Sequence, residues 1–355
     1  MAVTKVHIEE FLALSKQHPV LDVRSPGEYT HAHIPNAVSF PLFTDEERKV
    51  VGTTYKQKSR EEAIKIGLDF FGVKMRKMVE EVENIYELQS TKYNLSSPAD
   101  NVIRNSKIVL VHCWRGGMRS AGVAWLLDLY GFKVYTLIGG YKIFRRWVLE
   151  QFDKTYSFKV LGGYTGSGKT HVLHALKTNG QTVIDLEALA HHKGSAFGNI
   201  GQPKQPSQEM FENKLALELQ IAKELSPIWL EDESQRIGDV NIPIQLWKQW
   251  RQQPLYFLEI SFEERLKHIV EEYGNLDRER LVNAITRIKK RLGGLETKES
   301  LNALLENRVE DCFRILLTYY DKWYLKGMNN REGLNTLLHK IPCETVTKSN
   351  YQKLL

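Results

Sequence analysis

The stretch that most restricts this chain is Gly163-Tyr164-Thr165-Gly166-Ser167-Gly168-Lys169-Thr170. It follows an apolar run, Phe158-Lys159-Val160-Leu161, that reads as a buried strand, and it leads into a helical pattern over 171–177. Gly163, Gly166 and Gly168 let backbone N–H groups, with those of Thr165 and Ser167, turn toward a phosphate. Lys169 brings a point charge, and Thr170 offers a hydroxyl to Mg²⁺. A strand, loop and helix joined this way belong at the carboxyl edge of a parallel sheet. Segments 182–187, 227–231 and 255–260 read as further strands between helical stretches, so a doubly wound parallel α/β sheet is expected here.

Carboxylates sit where such a sheet would place them. Asp185 lies at the end of the second strand, and Glu231-Asp232-Glu233 closes a strand shaped like a Walker B segment. Asp185, Glu231 and Asp232 are the candidates to hold Mg²⁺ or act as a base; a solvated acidic loop is the other reading. Residues 191–203 are polar and glycine-rich, with Lys193 and Phe197 among them, which is the composition of a binding loop. Residues 278–291 hold six Lys/Arg and one Glu. Arg287, Lys289, Lys290 and Arg291 could face nucleic-acid phosphates, or simply form a basic helix end favoured by the dipole. Residues 296–355 read as helical with a mixed end and suggest no chemistry.

A second loop stands earlier in the chain. Cys113-Trp114-Arg115-Gly116-Gly117-Met118-Arg119-Ser120 follows the apolar strand Ile108-Val109-Leu110-Val111 and precedes a helical run. Loop amides, a helix N-terminus and the charges of Arg115 and Arg119 should draw a thiol from about 8.5 toward neutrality. Cys113 therefore reads as a nucleophile, with Arg115 and Arg119 beside it. The Cys-x5-Arg spacing suits a phosphatase loop as well as a sulfur carrier.

Upstream, Asp22 and Arg24 lie two residues apart along a strand, as a structural ion pair or as support for the cysteine loop. His31 and His33 lack further ligands at metal spacing. Residues 44–96 form a long, charged, helical insertion, either packed on a partner domain or standing as a solvated hairpin. A helix from 141 and a polar connector at 152–157 follow. The three cysteines form no CxxC pair, so neither a disulfide framework nor a structural metal is expected, and a reducing cytoplasm fits. No apolar run approaches the ~20 residues of a membrane span, and no signal peptide is visible. A net charge of +6 permits a polyanionic partner without requiring one.

Asp22-Val23-Arg24-Ser25-Pro26-Gly27-Glu28-Tyr29, His33-Ile34-Pro35, the Cys113 loop and Leu137-Ile138-Gly139-Gly140-Tyr141 together resemble rhodanese domains, with Ala32 and Asn36 where that family usually has glycines. That implies a small parallel α/β domain carrying sulfur or selenium on Cys113. With the 163–170 loop, Asp185-Leu186-Glu187, His192-Lys193-Gly194-Ser195-Ala196-Phe197-Gly198 and Lys290-Arg291-Leu292-Gly293-Gly294, nearly the whole chain resembles the tRNA 2-selenouridine synthase family. The resemblance implies a rhodanese-like domain over 1–140, a connecting helix and linker over 141–157, and a P-loop NTPase-like domain with a helical tail over 158–355. It implies geranylation of wobble 2-thiouridine in tRNA, then selenation. Geranyl diphosphate and selenophosphate are the implied co-substrates, Mg²⁺ a plausible ion, and a selenophosphate-producing enzyme a plausible partner. The rival readings are a P-loop small-molecule kinase or ATPase fused to a sulfurtransferase, a phosphatase, and a tRNA-binding module without catalysis.

Overall fold

Strands without a polar face are stable only when both sides of their sheet are covered, and Val20-Leu21-Asp22 and Val109–His112 are buried throughout. The structure, a computed structural model, describes residues 3–92, 107–222, 227–274 and 276–355. It divides into two units, Met1–Glu150 and Gln151–Leu355.

The first unit runs β1 (Thr4–Val6), α1 (Ile8–Leu14), β2 (Val20–Asp22), α2 (Pro26–His31), β3 (Val38–Ser39), α3 (Asp45–Gln57), α4 (Arg60–Gly72), α5 (Met75–Lys92), β4 (Ile108–His112), α6 (Met118–Tyr130), β5 (Lys133–Leu137) and α7 (Gly140–Phe152). Its five strands are all parallel, in the order β1-β5-β4-β2-β3. The Cys113 loop thus leaves the central strand at its carboxyl end. Ser25 and Glu28 close a capping box around α2, with Pro26 in its first turn. Asn36 takes a left-handed φ of +68°. Asparagine tolerates that region better than other residues with a Cβ, so losing the usual glycine does not require a different turn.

The insertion is neither a solvated hairpin nor reserved for another domain. Phe71, Met78, Val79 and Val82 are buried in the same cluster as Val109, Val111, Val123 and Leu127. Helices α4 and α5 are therefore part of this unit's own core. Residues 93–96 of the expected insertion lie outside the described residues.

The second unit runs β6 (Phe158–Gly163), α8 (Lys169–Thr178), α9 (Leu186–Ala190), α10 (Gln208–Ala222), β7 (Ile228–Glu231), β8 (Arg236–Ile237), β9 (Val240–Asn241), α11 (Ile244–Trp250), β10 (Leu255–Glu259), α12 (Phe262–Tyr273), α13 (Arg278–Leu292), α14 (Gly294–Leu305), α15 (Val309–Asn329), α16 (Leu334–Leu337) and β11 (Leu338–Pro342), then a 3-10 turn, Lys348–Leu354. Its main sheet is parallel, in the order β11-β10-β6-β7.

Two expectations change. Segment 182–187 is no strand: Val183 makes one parallel bridge to Trp229, and Asp185 then caps α9 by accepting the Ala188 N–H. A strong N-cap residue ends the extended run. The tail is not inert either, since β11 completes the sheet beside β10 and α15 packs along α12. Among the described residues no helix is long and apolar enough to cross a membrane.

Candidate functional site

The cysteine loop is held from below by α7. The Tyr141 and Lys142 N–H groups donate to the carbonyls of Cys113 and Trp114, at 2.8 and 3.0 Å. Gly140 has φ +58°, and a Cβ there would overlap the Cys113 carbonyl, so only glycine lets the two segments meet. The Asp22–Arg24 pair is buried, and the Arg24 guanidinium also donates to Ala32 O and lies 3.9 Å from the Tyr141 ring centroid. It is thus both an ion pair and a backing for the loop.

Cys113 is 3% exposed, at the floor of the loop. Its Sγ accepts the Gly117 N–H at 3.3 Å and lies 3.3 Å from Ser120 Oγ. Burial pushes the thiol up. Hydrogen bonds from the Ser120 hydroxyl and from the Ser120 and Arg115 backbones, with the Arg119 charge, outweigh it and leave the thiol below its ordinary value. Arg119 donates to Glu28 Oε2 at 2.8 Å, while Arg115 is exposed. Ser120 and Glu28 escaped the reading by sequence, although the Ser25-x-x-Glu28 capping pattern was visible.

In the second unit the phosphate loop crosses from β6 to α8. Gly163, Gly166 and Gly168 all have positive φ. A Cβ at Gly166 would come 2.7 Å from the Ile269 side chain, because α12 lies against the loop. Buried Arg265 on α12 donates to Thr165 O at 3.0 Å and forms a two-pronged pair with Asp321 on α15. Lys169 Nζ folds back to Gly163 O at 3.0 Å. The Tyr324 hydroxyl accepts the Gly163 N–H at 3.2 Å and donates to Asp232 Oδ2 at 2.9 Å.

The carboxylates sort differently from expectation. Glu187, Glu231 and Glu233 converge, with ligand oxygens within 4.8 Å of one another. Thr170 Oγ1 donates to Glu187 Oε2 at 3.2 Å. Asp185 is excluded from this group by its capping bond and by His174, 2.7 Å away. Asp232 is excluded because Arg331 and Tyr324 hold it. Burial and mutual repulsion push the three clustered carboxyls up. Glu231 Oε1 is buried with no hydrogen-bond partner among the described residues. All-oxygen donors with an orphaned carboxylate oxygen fit a hard divalent cation such as Mg²⁺.

These groups share a cavity of about 890 Å³. One part is polar, lined by the 165–170 loop and the three glutamates. The other is formed by Tyr273 and by Phe313, Leu316 and Leu317 of α15, the last three 1–3% exposed. Arg291 also lines it. Lys193 does too, but it pairs with Glu272 at 2.6 Å, so its charge is already met. Arg287 reaches only Asn199, at 3.4 Å. Arg287, Lys289, Lys290 and Arg291 are exposed and have no ion-pair partner among the described residues.

Comparison with known proteins adds the following. A rhodanese-like domain model matches residues 7–146, and a model described as the tRNA 2-selenouridine synthase AAA domain matches residues 156–346. A tRNA 2-selenouridine synthase of Pseudomonas putida is 33% identical over 343 residues, covering 86% of this chain and 88% of that protein. One from Hydrogenovibrio crunogenus is 35% identical over 350 residues, covering 89% and 91%.

Proposed function

The chain belongs to the tRNA 2-selenouridine synthase family, and from that premise we propose that it acts on wobble 2-thiouridine of tRNA in two steps: geranylation from geranyl diphosphate, then replacement of the S-geranyl group by selenium from selenophosphate. The observation that carries the first step is the shared cavity, where a phosphate cradle adjoins a buried apolar wall. Geranyl diphosphate has the matching halves, an anionic head and a hydrocarbon tail.

In that step the 2-thiouridine sulfur attacks C1 of the geranyl group, the C–O bond breaks, and diphosphate leaves with the electron pair. Lys169 and the amides of residues 163–170 stabilise the leaving charge. Thr170 and the carboxylates of Glu187, Glu231 and Glu233 would hold Mg²⁺, which when bound neutralises diphosphate charge. Alkylation matters because the sulfur then departs as geranyl thiol, a better leaving group than a bare thiocarbonyl sulfur. In the second step Cys113 carries the selenium, and Arg115, Arg119 and the loop amides bind the phosphate of selenophosphate. Arg287, Lys289, Lys290 and Arg291 meet tRNA phosphates. The selenium donor would come from a selenophosphate-producing enzyme, and the setting is the cytoplasm.

Nucleoside mass spectrometry after incubation of thiolated tRNA with both co-substrates tests this. Cys113→Ser should accumulate S-geranyl-2-thiouridine and make no 2-selenouridine; Lys169→Ala should form neither product. Normal 2-selenouridine from the first variant, or normal geranylation by the second, would sink the assignment. Mg²⁺ should raise the melting temperature of wild type and not of Glu231→Gln.

A further inference from the structure

The cavity of the second unit has a rim that neither a diphosphate nor a buried hydrocarbon chain accounts for. On α15, Phe313, Leu316 and Leu317 point inward and are 1–3% exposed. Tyr319 and Trp323, one turn apart on the same helix, line the cavity too, yet Trp323 is 43% exposed. Their rings meet edge-on, with centroids 6.3 Å apart and planes at 63°. Lys326 Nζ lies 5.1 Å from the Trp323 ring centroid. Trp323 directly precedes Tyr324, whose hydroxyl touches the first residue of the phosphate loop. Arg291, at the end of α13, lines the same cavity and has no ion-pair partner among the described residues.

We propose that Trp323, with Tyr319 at its edge, is the stacking platform for a nucleobase turned out of the RNA, and that Arg291 holds the adjoining phosphate. This rests on the tRNA reading above and says where the base sits. A base must leave its stack to meet a reagent enclosed in a protein cavity, and an aromatic face with a nearby cation is the general means of holding it. The prenyl chain is not the better occupant of this rim. It gains most where water is excluded, along Phe313, Leu316 and Leu317, whereas a base has two polar edges that prefer a wet margin. The order along α15 then makes chemical sense: apolar wall and phosphate loop inside, base at the mouth, reacting centres between them.

The test measures binding of the full-length protein to two anticodon stem-loop RNAs, one with 2-thiouridine at the wobble position and one abasic there. Trp323→Ala should weaken binding of the first RNA by about 5- to 150-fold, the range for one aromatic–base stack, and leave the abasic RNA unaffected. Trp323→Phe should recover most of the loss. Arg291→Ala should weaken both RNAs alike and lower the salt slope by about one. The KM for geranyl diphosphate should stay unchanged in Trp323→Ala. An equal loss for both RNAs, no loss for either, or a raised geranyl diphosphate KM with RNA affinity intact would each overturn the platform. Failure of the wild type to bind either RNA would overturn the tRNA reading itself, and the platform with it.

Discussion

Replacing Glu28 by Gln should destabilise the first unit in a way that fades in acid. Four donors converge on Glu28 Oε2: Ser25 N at 3.1 Å, Ser25 Oγ at 3.3 Å, Arg48 Nε at 2.9 Å and Arg119 Nη1 at 2.8 Å. Burial would raise this carboxyl, but the Arg119 hydrogen bond and charge, the Ser25 amide and Arg48 bring it down from 4.5 to about 2. At about 1.4 kcal/mol per pKa unit, the charged form is favoured by the fold by about 3 kcal/mol. The side chain is 15% exposed, so only a small part is lost to solvent screening. A folded pKa below the unfolded one means stability that is full above about 4.5 and disappears as pH falls through about 2. Calorimetric melting of wild type and Glu28→Gln at pH 7, 5, 4, 3 and 2 reads this directly. At pH 7 the variant should melt lower by about 5–10 °C for a unit of this size, and the gap should close toward pH 2. Equal melting at pH 7, or a gap that stays constant between pH 5 and pH 2, would refute the reasoning.

Three more outcomes follow from the same contacts. Iodoacetamide near pH 7.5 should alkylate Cys113 well ahead of the other two cysteines. Its thiol is lowered, whereas burial pushes Cys312 up to about 12 and raises Cys343; peptide mapping that finds Cys312 labelled first would contradict this. Gly140→Ala should slow that alkylation at least tenfold and lower the melting temperature of the first unit, since a Cβ there displaces the Cys113 carbonyl; an unchanged rate would show that the loop is not fixed by α7. Tyr324→Phe should cost about 1–3 kcal/mol, because the Gly163 N–H loses its acceptor, and should raise the KM for geranyl diphosphate; urea unfolding and KM both at wild-type values would remove Tyr324 from the positioning of the loop.

How the carboxylates divide shows where reading by sequence reaches its limit. The two loops were legible because each is built from consecutive residues: glycines, amides and a following helix need no distant partner to define them. The supports of those loops were not legible, since they join residues far apart. Arg119 and Glu28 are separated by 91 positions, Asp232 and Arg331 by 99, and Gly163 and Tyr324 by 161. Nothing local in 296–355 marks Tyr324, Arg331 or Asp321 as parts of a phosphate site. Asp232 is a different case. Along extended backbone, side chains alternate between faces. Glu231 and Glu233 therefore turn together toward Glu187, and Asp232 turns the other way, to Tyr324 and Arg331. Strand period alone, applied to Glu231-Asp232-Glu233, separates the pair that can share a cation from the residue that anchors the tail. The same logic fails at Asp185, where the strand has already ended in a helix cap. Period two is thus a usable guide only as far as the extended backbone runs, and at this sheet edge the last extended residue decides which carboxylates face the phosphate loop.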